Sequence, residues 1–233
     1  MNKNSDIFSK LKLFLSDTER LKKLFPAINA AGYPFIALFF FVALLLSLIS
    51  DFFGWIGFIL SLWCVYFFRD PDRVTPNISN VIVSPADGKI ISIEKSKDSE
   101  FTENEMTRIC IFLSIFDAHI ARSPIKSSVI ETRYFPGEFH FANSIKAIEN
   151  ERLCVHLKSN LNENFVLILY AGFIARRIVS YINTSSNLER GERVGIIKFG
   201  SRVDIYVPID YATNLKTGDN VVAGETVLFR KSD

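Results

Sequence analysis

Gly200 and Ser201 adjoin in the stretch "GIIKFGSRVDIYVP", residues 195–208. A serine hydroxyl is a weak nucleophile until a base or a strained geometry activates it. Its nearest electrophile along the chain is the carbonyl of Gly200. Attack there moves the acyl group from nitrogen to oxygen and leaves an ester in the main chain. β-Elimination then releases the upstream chain and leaves dehydroalanine, and hydrolysis of that gives a pyruvoyl group on the downstream chain. Gly200, with no Cβ, tolerates the distorted approach and leaves its carbonyl open. The product is a ketone conjugated to an amide, which forms a Schiff base with an amine and acts as an electron sink. The same dipeptide also suits an ordinary β-bulge, because a glycine inside a strand commonly marks one.

The elements that must position this pair are mostly strands. The flanks "RVGIIKF" and "RVDIYVP" alternate apolar and polar residues with period two, the pattern of half-buried strands. "VIVSPADGKIISIE" reads strand, turn, strand, with the turn at Pro85, Ala86, Asp87 and Gly88. "RICIFLSIF" is a continuous apolar run, hence a buried strand, and "SVIETRYF" alternates. "FVLILYAGFIARRIVSYI" predicts two strands bent near Gly172, whereas "FANSIKAIENER" is the segment with helical character. A mainly β (α+β) domain follows. "LERGERVGII" and "LKTGDNVVAGETVLF" share the form Leu-x-x-Gly-acid-x-Val, a repeat of the kind seen in biotinyl- and lipoyl-type flattened barrels.

Before this domain lies a different solvent. Residues 1–32 are polar and lysine-bearing, and residues 33–68 read "YPFIALFFFVALLLSLISDFFGWIGFILSLWCVYFF", with Asp51 as the sole charge. One helix of that length overshoots a bilayer. Divided at "SD" it gives two runs of about 17 residues, at the lower limit for spanning. A membrane helical hairpin is therefore expected, either spanning or re-entrant, with Pro34 in the first helical turn. Lys22 and Lys23 precede it and Arg69 and Arg73 follow it, which puts both ends in the cytoplasm. The chain is 48% hydrophobic, in keeping with membrane contact, and its net charge of +2 gives no case for nucleic acid. Cys64, Cys110 and Cys154 stand far apart and predict reduced thiols. No His/Cys/Asp spacing predicts a metal site, and no phosphate-loop or dinucleotide fingerprint is present.

Taken together, "FFRDPDRVTP", "VSPADGKI", "FLSIFDAHIARSP", "YFPGEFHFANSIKAIENER", "AGFIARRIV", "GERVGIIKFGSRVDIYVP" and "GDNVVAGETVL" fall in an order that resembles the short, pyruvoyl-dependent phosphatidylserine decarboxylases, including their archaetidylserine-acting relatives. The resemblance covers nearly everything from Tyr33 to Phe229. It implies decarboxylation of phosphatidylserine to phosphatidylethanolamine through a Schiff base with the self-made pyruvoyl group. It implies self-cleavage of the domain at residues 69–233 between Gly200 and Ser201. The products would be a β chain, residues 1–200, and an α chain, residues 201–233, associated as a heterodimer at the cytoplasmic side of the cell membrane. A higher oligomer is left open.

By the same resemblance Asp87 and His119 serve maturation or catalysis. An imidazole titrating near neutrality can take the Ser201 proton or handle protons in turnover, and Asp87 either orients His119 or is itself the base. Arg176, Arg177 and Arg122 are candidates for the lipid phosphate, which a guanidinium holds in a bidentate way. Three positions depart from the family pattern: Ser128 replaces a usual Gly, Leu169 a common Gln, and Arg122 a second His of longer relatives. The rival reading is a membrane-tethered, non-enzymatic adaptor built on a biotinyl-like barrel.

Overall fold

The computed structural model describes residues 27–97, 100–137, 140, 149–172, 177–198 and 201–231. The chain divides into two compact units, Met1–Asp72 and Arg73–Asp233. In the first, strand β1 (Ala27–Ile28) pairs antiparallel with β2 (Arg69–Asp70), and helices α1 (Tyr33–Ser47) and α2 (Asp51–Phe67) run between them. Pro34 occupies the first turn of α1, where a missing N–H leaves no bond unmade. The break falls just before Asp51, and the Ser50 hydroxyl caps α2 by accepting from the Phe52 amide at 3.3 Å. Small residues line the contact between the helices. A Cβ on Gly57 would lie 2.6 Å from Ala43 Cα, and one on Gly54 2.7 Å from Ser47 Cβ. Close approach of two backbones is how apolar helices associate where water does not drive them together. Leu38, Phe41, Leu44, Trp55 and Ile59 are exposed. Ala30–Ser47 is long and apolar enough to cross a membrane, while Asp51–Phe67 is shorter.

The second unit is built of β3 (Val81–Val83), β4 (Gly88–Lys97), β5 (Glu105–Leu113), β6 (Ile120–Arg122), β7 (Ser127–Phe135), β8 (Arg152–Ser159), β9 (Asn164–Ala171), β10 (Ile178–Ser180), β11 (Asn187–Leu188), β12 (Arg193–Ile197), β13 (Ser201–Pro208), β14 (Tyr211–Ala212), β15 (Asn220–Val221) and β16 (Val227–Lys231). A curled antiparallel sheet, half of a barrel, has the order β11-β7-β8-β9-β13-β5-β4-β15. Two smaller sheets have the orders β10-β12-β6 and β14-β16-β3. The mainly β architecture expected from the sequence is present.

The large sheet is a palindrome. Outward from its centre, β9, β8, β7 and β11 on one side repeat as β13, β5, β4 and β15 on the other. The small sheets repeat likewise, β6-β12-β10 as β3-β16-β14. Irregularities repeat too. The register shift between Ile90 and Ser92 has its counterpart between Val129 and Glu131. Ser84 Oγ donates to the Ala86 carbonyl as Ser123 Oγ does to that of Ile125, both at 2.7 Å. One copy, β6 to β12, is continuous. The other is split around it, with β3 to β5 before and β13 to β16 after. The terminal sequence echo is thus a fragment of a domain-wide duplication, but it is out of register with it. The echo pairs Gly191 with Gly218, whereas the sheets pair Gly191 with Gly224, whose amides donate to the Ser123 and Ser84 carbonyls at 2.8 and 2.7 Å. Gly191, Gly218 and Gly224 all have positive φ (82°, 102° and 74°), so the shared glycine reports turn chemistry rather than descent position by position.

Two sequence expectations shift. The 85–88 turn joins β3 and β4, which lie in different sheets, so it carries the chain between layers. The two flanks of the Gly-Ser pair do not form one strand either. β12 ends at Ile197 in a small sheet and Ser201 begins β13 in the large one. Period-two alternation runs through both segments and does not mark a change of sheet. Of the helix expected in "FANSIKAIENER", residues 141–148 lie outside the described residues, and Arg152 already begins β8.

Candidate active site

Ser201 stands in register with Leu113 of β5 and Ala171 of β9, in the middle of the large sheet. Side chains alternate along a strand. Ser201 is therefore in phase with Val203, Ile205 and Val207, which face the main core, while Tyr206 packs in a separate cluster on the other face. Ser201 is fully buried, and its Oγ has no hydrogen-bond partner among the described residues. An unsatisfied buried hydroxyl costs roughly 1–3 kcal/mol. Such a group in a folded protein calls for a specific explanation.

The loop at 114–119 leaves β5 beside Ser201 and ends where the His119 carbonyl accepts from the Ile197 amide at 3.1 Å, at the last residue of β12. It bridges the same gap that the chain crosses between Ile197 and Ser201. His119 is fully buried and its Nδ1 lies 2.9 Å from the Asp117 carbonyl oxygen. A carbonyl only accepts, so Nδ1 carries the hydrogen and Nε2 keeps the basic lone pair. The Asp117 carboxylate in turn accepts from the Ser114 amide and hydroxyl, both at 2.7 Å. Asp87 reaches the same loop from the other side. Its carboxylate accepts from the Ala223 amide at 2.8 Å and from Arg73 at 2.6 Å. Burial pushes the Asp87 carboxyl above its usual range, outweighing the Ala223 amide and the Arg73 guanidinium, and Asp117 adds to the rise. Thus Asp87 is fastened to Ala223 and Arg73, while the imidazole itself is held by the Asp117 carbonyl.

The arginines separate. Arg177 is exposed, and its carbonyl accepts from the Lys198 amide at 3.2 Å. Burial and the Arg177 charge both lower the Lys198 ammonium. Arg122 is buried, with one guanidinium nitrogen donating to the Gly191 carbonyl at 2.9 Å. Arg176 and Gly200 lie outside the described residues. Leu169 is buried in the core opposite Val203, and Ser128 Oγ donates to Asn187 Oδ1 at 2.9 Å. The three cysteines are buried and form no disulfide, and burial pushes the Cys110 thiol up to about 12.

Sequence reasoning missed a bracket around β9. Asn150 Nδ2 donates to the Ala171 carbonyl at 2.7 Å, next to Ser201 across the sheet, and Glu151 accepts from the Ile178 amide at 2.8 Å. Both residues sit in a segment read as helical, and side-chain bonds to distant backbone leave no periodic signal. Arg202, the residue after Ser201, is clamped on both oxygens of fully buried Asp204, at 2.8 and 2.9 Å. Among the described residues no cluster of His, Cys, Asp and Glu could hold a metal ion.

Comparison with known proteins places the chain among decarboxylases, enzymes that break a carbon–carboxylate bond. The family model described as phosphatidylserine decarboxylase matches residues 60–229, a span holding Ser201, His119 and Asp87. The chain belongs to the phosphatidylserine decarboxylase family. It is 40% identical over 215 residues to a phosphatidylserine decarboxylase proenzyme of Pelagibacter ubique, covering 91% of this chain and 100% of the relative. Proenzymes of the same description from Rickettsia akari and Rickettsia typhi are 41% and 40% identical over 209 residues, covering 88% of this chain and 90% of each relative. Family membership decides for the enzyme over the adaptor.

Proposed function

We propose that the protein cuts its own chain between Gly200 and Ser201 and then converts phosphatidylserine to phosphatidylethanolamine and carbon dioxide. The observation that carries this is the placement of Ser201 within a chain of the decarboxylase family. It is a fully buried hydroxyl with no partner among the described residues, at the first position of a central strand. In maturation Oγ bonds to the Gly200 carbonyl carbon as the peptide C–N bond breaks, and the hydroxyl proton passes by way of His119 Nε2 to the freed nitrogen. Loss of the residue 201 α-proton expels the Gly200 carboxylate from Cβ. Water then replaces the nitrogen, which departs as ammonia, and a keto cap remains on Arg202. That cap supplies a carbonyl that accepts the electrons of the breaking bond.

The remaining tasks fall to side chains. The Arg202–Asp204 clamp keeps the new chain end in register after the cut. His119 holds the proton that the substrate carbon needs once carbon dioxide has left. Arg177 binds the lipid phosphate, being exposed next to Lys198, whereas buried Arg122 braces the turn at Gly191. We read the duplicated strands with their positive-φ turns as flattened-barrel units. We also read α1 and α2 as a membrane hairpin with the catalytic unit on the cytoplasmic side, since basic residues flank it at both ends. A bilayer-bound enzyme suits this substrate, because extracting each buried methylene costs about 0.8 kcal/mol. Denaturing electrophoresis is expected to show two fragments, of residues 1–200 and 201–233, and mass spectrometry the decarboxylated lipid. Ser201→Ala is expected to give one intact chain and no product. Full activity in that variant would end the proposal.

A further inference from the structure

The turn that carries the chain from Ser201's neighbour Leu113 toward His119 displays two large apolar side chains. Ile115 is 40% and Phe116 60% exposed. Isolated exposed apolar residues are ordinary on protein surfaces, but this pair sits on a turn fastened from within. The Asp117 carboxylate accepts from the Ser114 amide and hydroxyl, the Asp117 amide donates to the Ser114 carbonyl at 3.0 Å, and the Phe116 amide to Ser114 Oγ at 3.3 Å. Polar groups are turned inward and satisfied at the base, and apolar groups are turned outward at the tip. Backbone bonds set Lys198 against Arg177 at 3.2 Å and its neighbour Ile197 against the carbonyl of His119, three residues beyond Phe116. An apolar tip on a loop whose neighbouring backbone carries Arg177 and Lys198 suits an anionic lipid surface, where apolar side chains enter and basic residues meet the headgroups. The same chain also contains an apolar helix able to cross a membrane.

We propose that the 114–117 turn is a membrane-contacting wedge, with Ile115 and Phe116 entering the headgroup–acyl boundary of a bilayer that carries anionic lipid. This rests on the reading that the Ser201 end works on lipid in the bilayer. The wedge sets the depth of the site. With its tip in the headgroup–acyl boundary, the wedge keeps the loop that bears His119 near the lipid headgroups, and the substrate need not be lifted out.

The test places a tryptophan at the tip of the full chain. Trp55 and Trp63, the two natural tryptophans, are replaced by Phe, and Phe116→Trp is reconstituted in vesicles of phosphatidylglycerol and phosphatidylcholine. Blue-shifted emission is expected, losing most of its intensity when the phosphatidylcholine acyl chains are brominated, with little quenching by aqueous iodide. Ile115→Trp in the same background is expected to behave alike, which guards against a local effect of one substitution. Iodide quenching without bromine quenching overturns the wedge. So does quenching by brominated phosphatidylserine alone, which would mark an acyl-chain pocket. A concentration-dependent shift in detergent without lipid also overturns it, by marking a contact between copies. The same emission is expected with Ser201→Ala added, so the wedge and the decarboxylase reading fail separately.

Discussion

His119 and Asp87 answer to different constraints although the sequence sets them side by side as acid–base candidates. The imidazole is a base with a fixed tautomer, because a main-chain carbonyl holds Nδ1. In the proposed maturation, removing it takes away general-base assistance, which is worth about 10²–10⁴-fold. His119→Ala is therefore expected to slow self-cleavage by at least about 10²-fold, seen as intact chain persisting in a pulse-chase on gels. His119→Gln keeps a donor to the Asp117 carbonyl but no base, and is expected to be equally slow while folding normally. Equal slowing separates chemistry from packing. Asp87 was legible as a candidate site residue only through family likeness. Its partners, Arg73 and the Ala223 amide, lie far from one another in the chain, and no local pattern foretells them.

At the scale of elements, Gly88 shows how the site depends on strand placement. It opens β4 with φ of 145°, and a Cβ there would stand 2.2 Å from the Phe112 carbonyl oxygen. Gly88→Ala must both strain the backbone and push β4 from β5, displacing Asp87 at one side and Leu113 at the other. Such backbone strain costs roughly 1–3 kcal/mol. A lower midpoint in thermal denaturation is expected, together with slower self-cleavage. The strands themselves were readable, since β5, β7, β9 and β13 are long and strongly patterned. Their sheet membership was not, because alternation reports which face a residue takes and never which neighbour pairs with it. The division of the apolar run at Ser50 and Asp51 was readable because a cap and a charge punctuate it. The Gly57–Ala43 approach was not, since small residues have many other uses.

For the whole molecule, the proposed cut leaves the small chain held by strand pairing and by polar contacts that span it, among them the Arg108–Asp204 ion pair at 2.6 Å, the Asp87–Ala223 bond and, at the far end, a cluster on Glu163. Glu163 accepts from Tyr211 at 3.0 Å and from Lys231 and Ser159, so it links the segment before the cut to the segment after it. Burial raises its pKa, but these bonds, Lys231 first, outweigh it and leave Glu163 below its ordinary 4.5. A depressed acid contributes stability above its unfolded pKa and loses it as pH falls through its folded one. The midpoint for separation of the two chains is therefore expected to drop as pH is lowered below about 4.5, and to drop less in Glu163→Gln. Thermal denaturation at a series of pH values, read by chain separation, checks this. An equal fall in both proteins would remove Glu163 from the account. The duplication behind this arrangement was visible in sequence as one mis-registered echo, because strand order and bulges keep a repeat long after side chains have drifted.

Because β13 is sandwiched between β9 and β5, residues 1–200 alone would present two bare strand edges in the centre of the sheet. Chronology is thereby imposed on biosynthesis: the ribosome must deliver the last residues, and the sheet must zip shut around them, before the scissile bond is ever poised. Two separately translated pieces are expected to clump rather than assemble, so the order of manufacture is written into the topology itself.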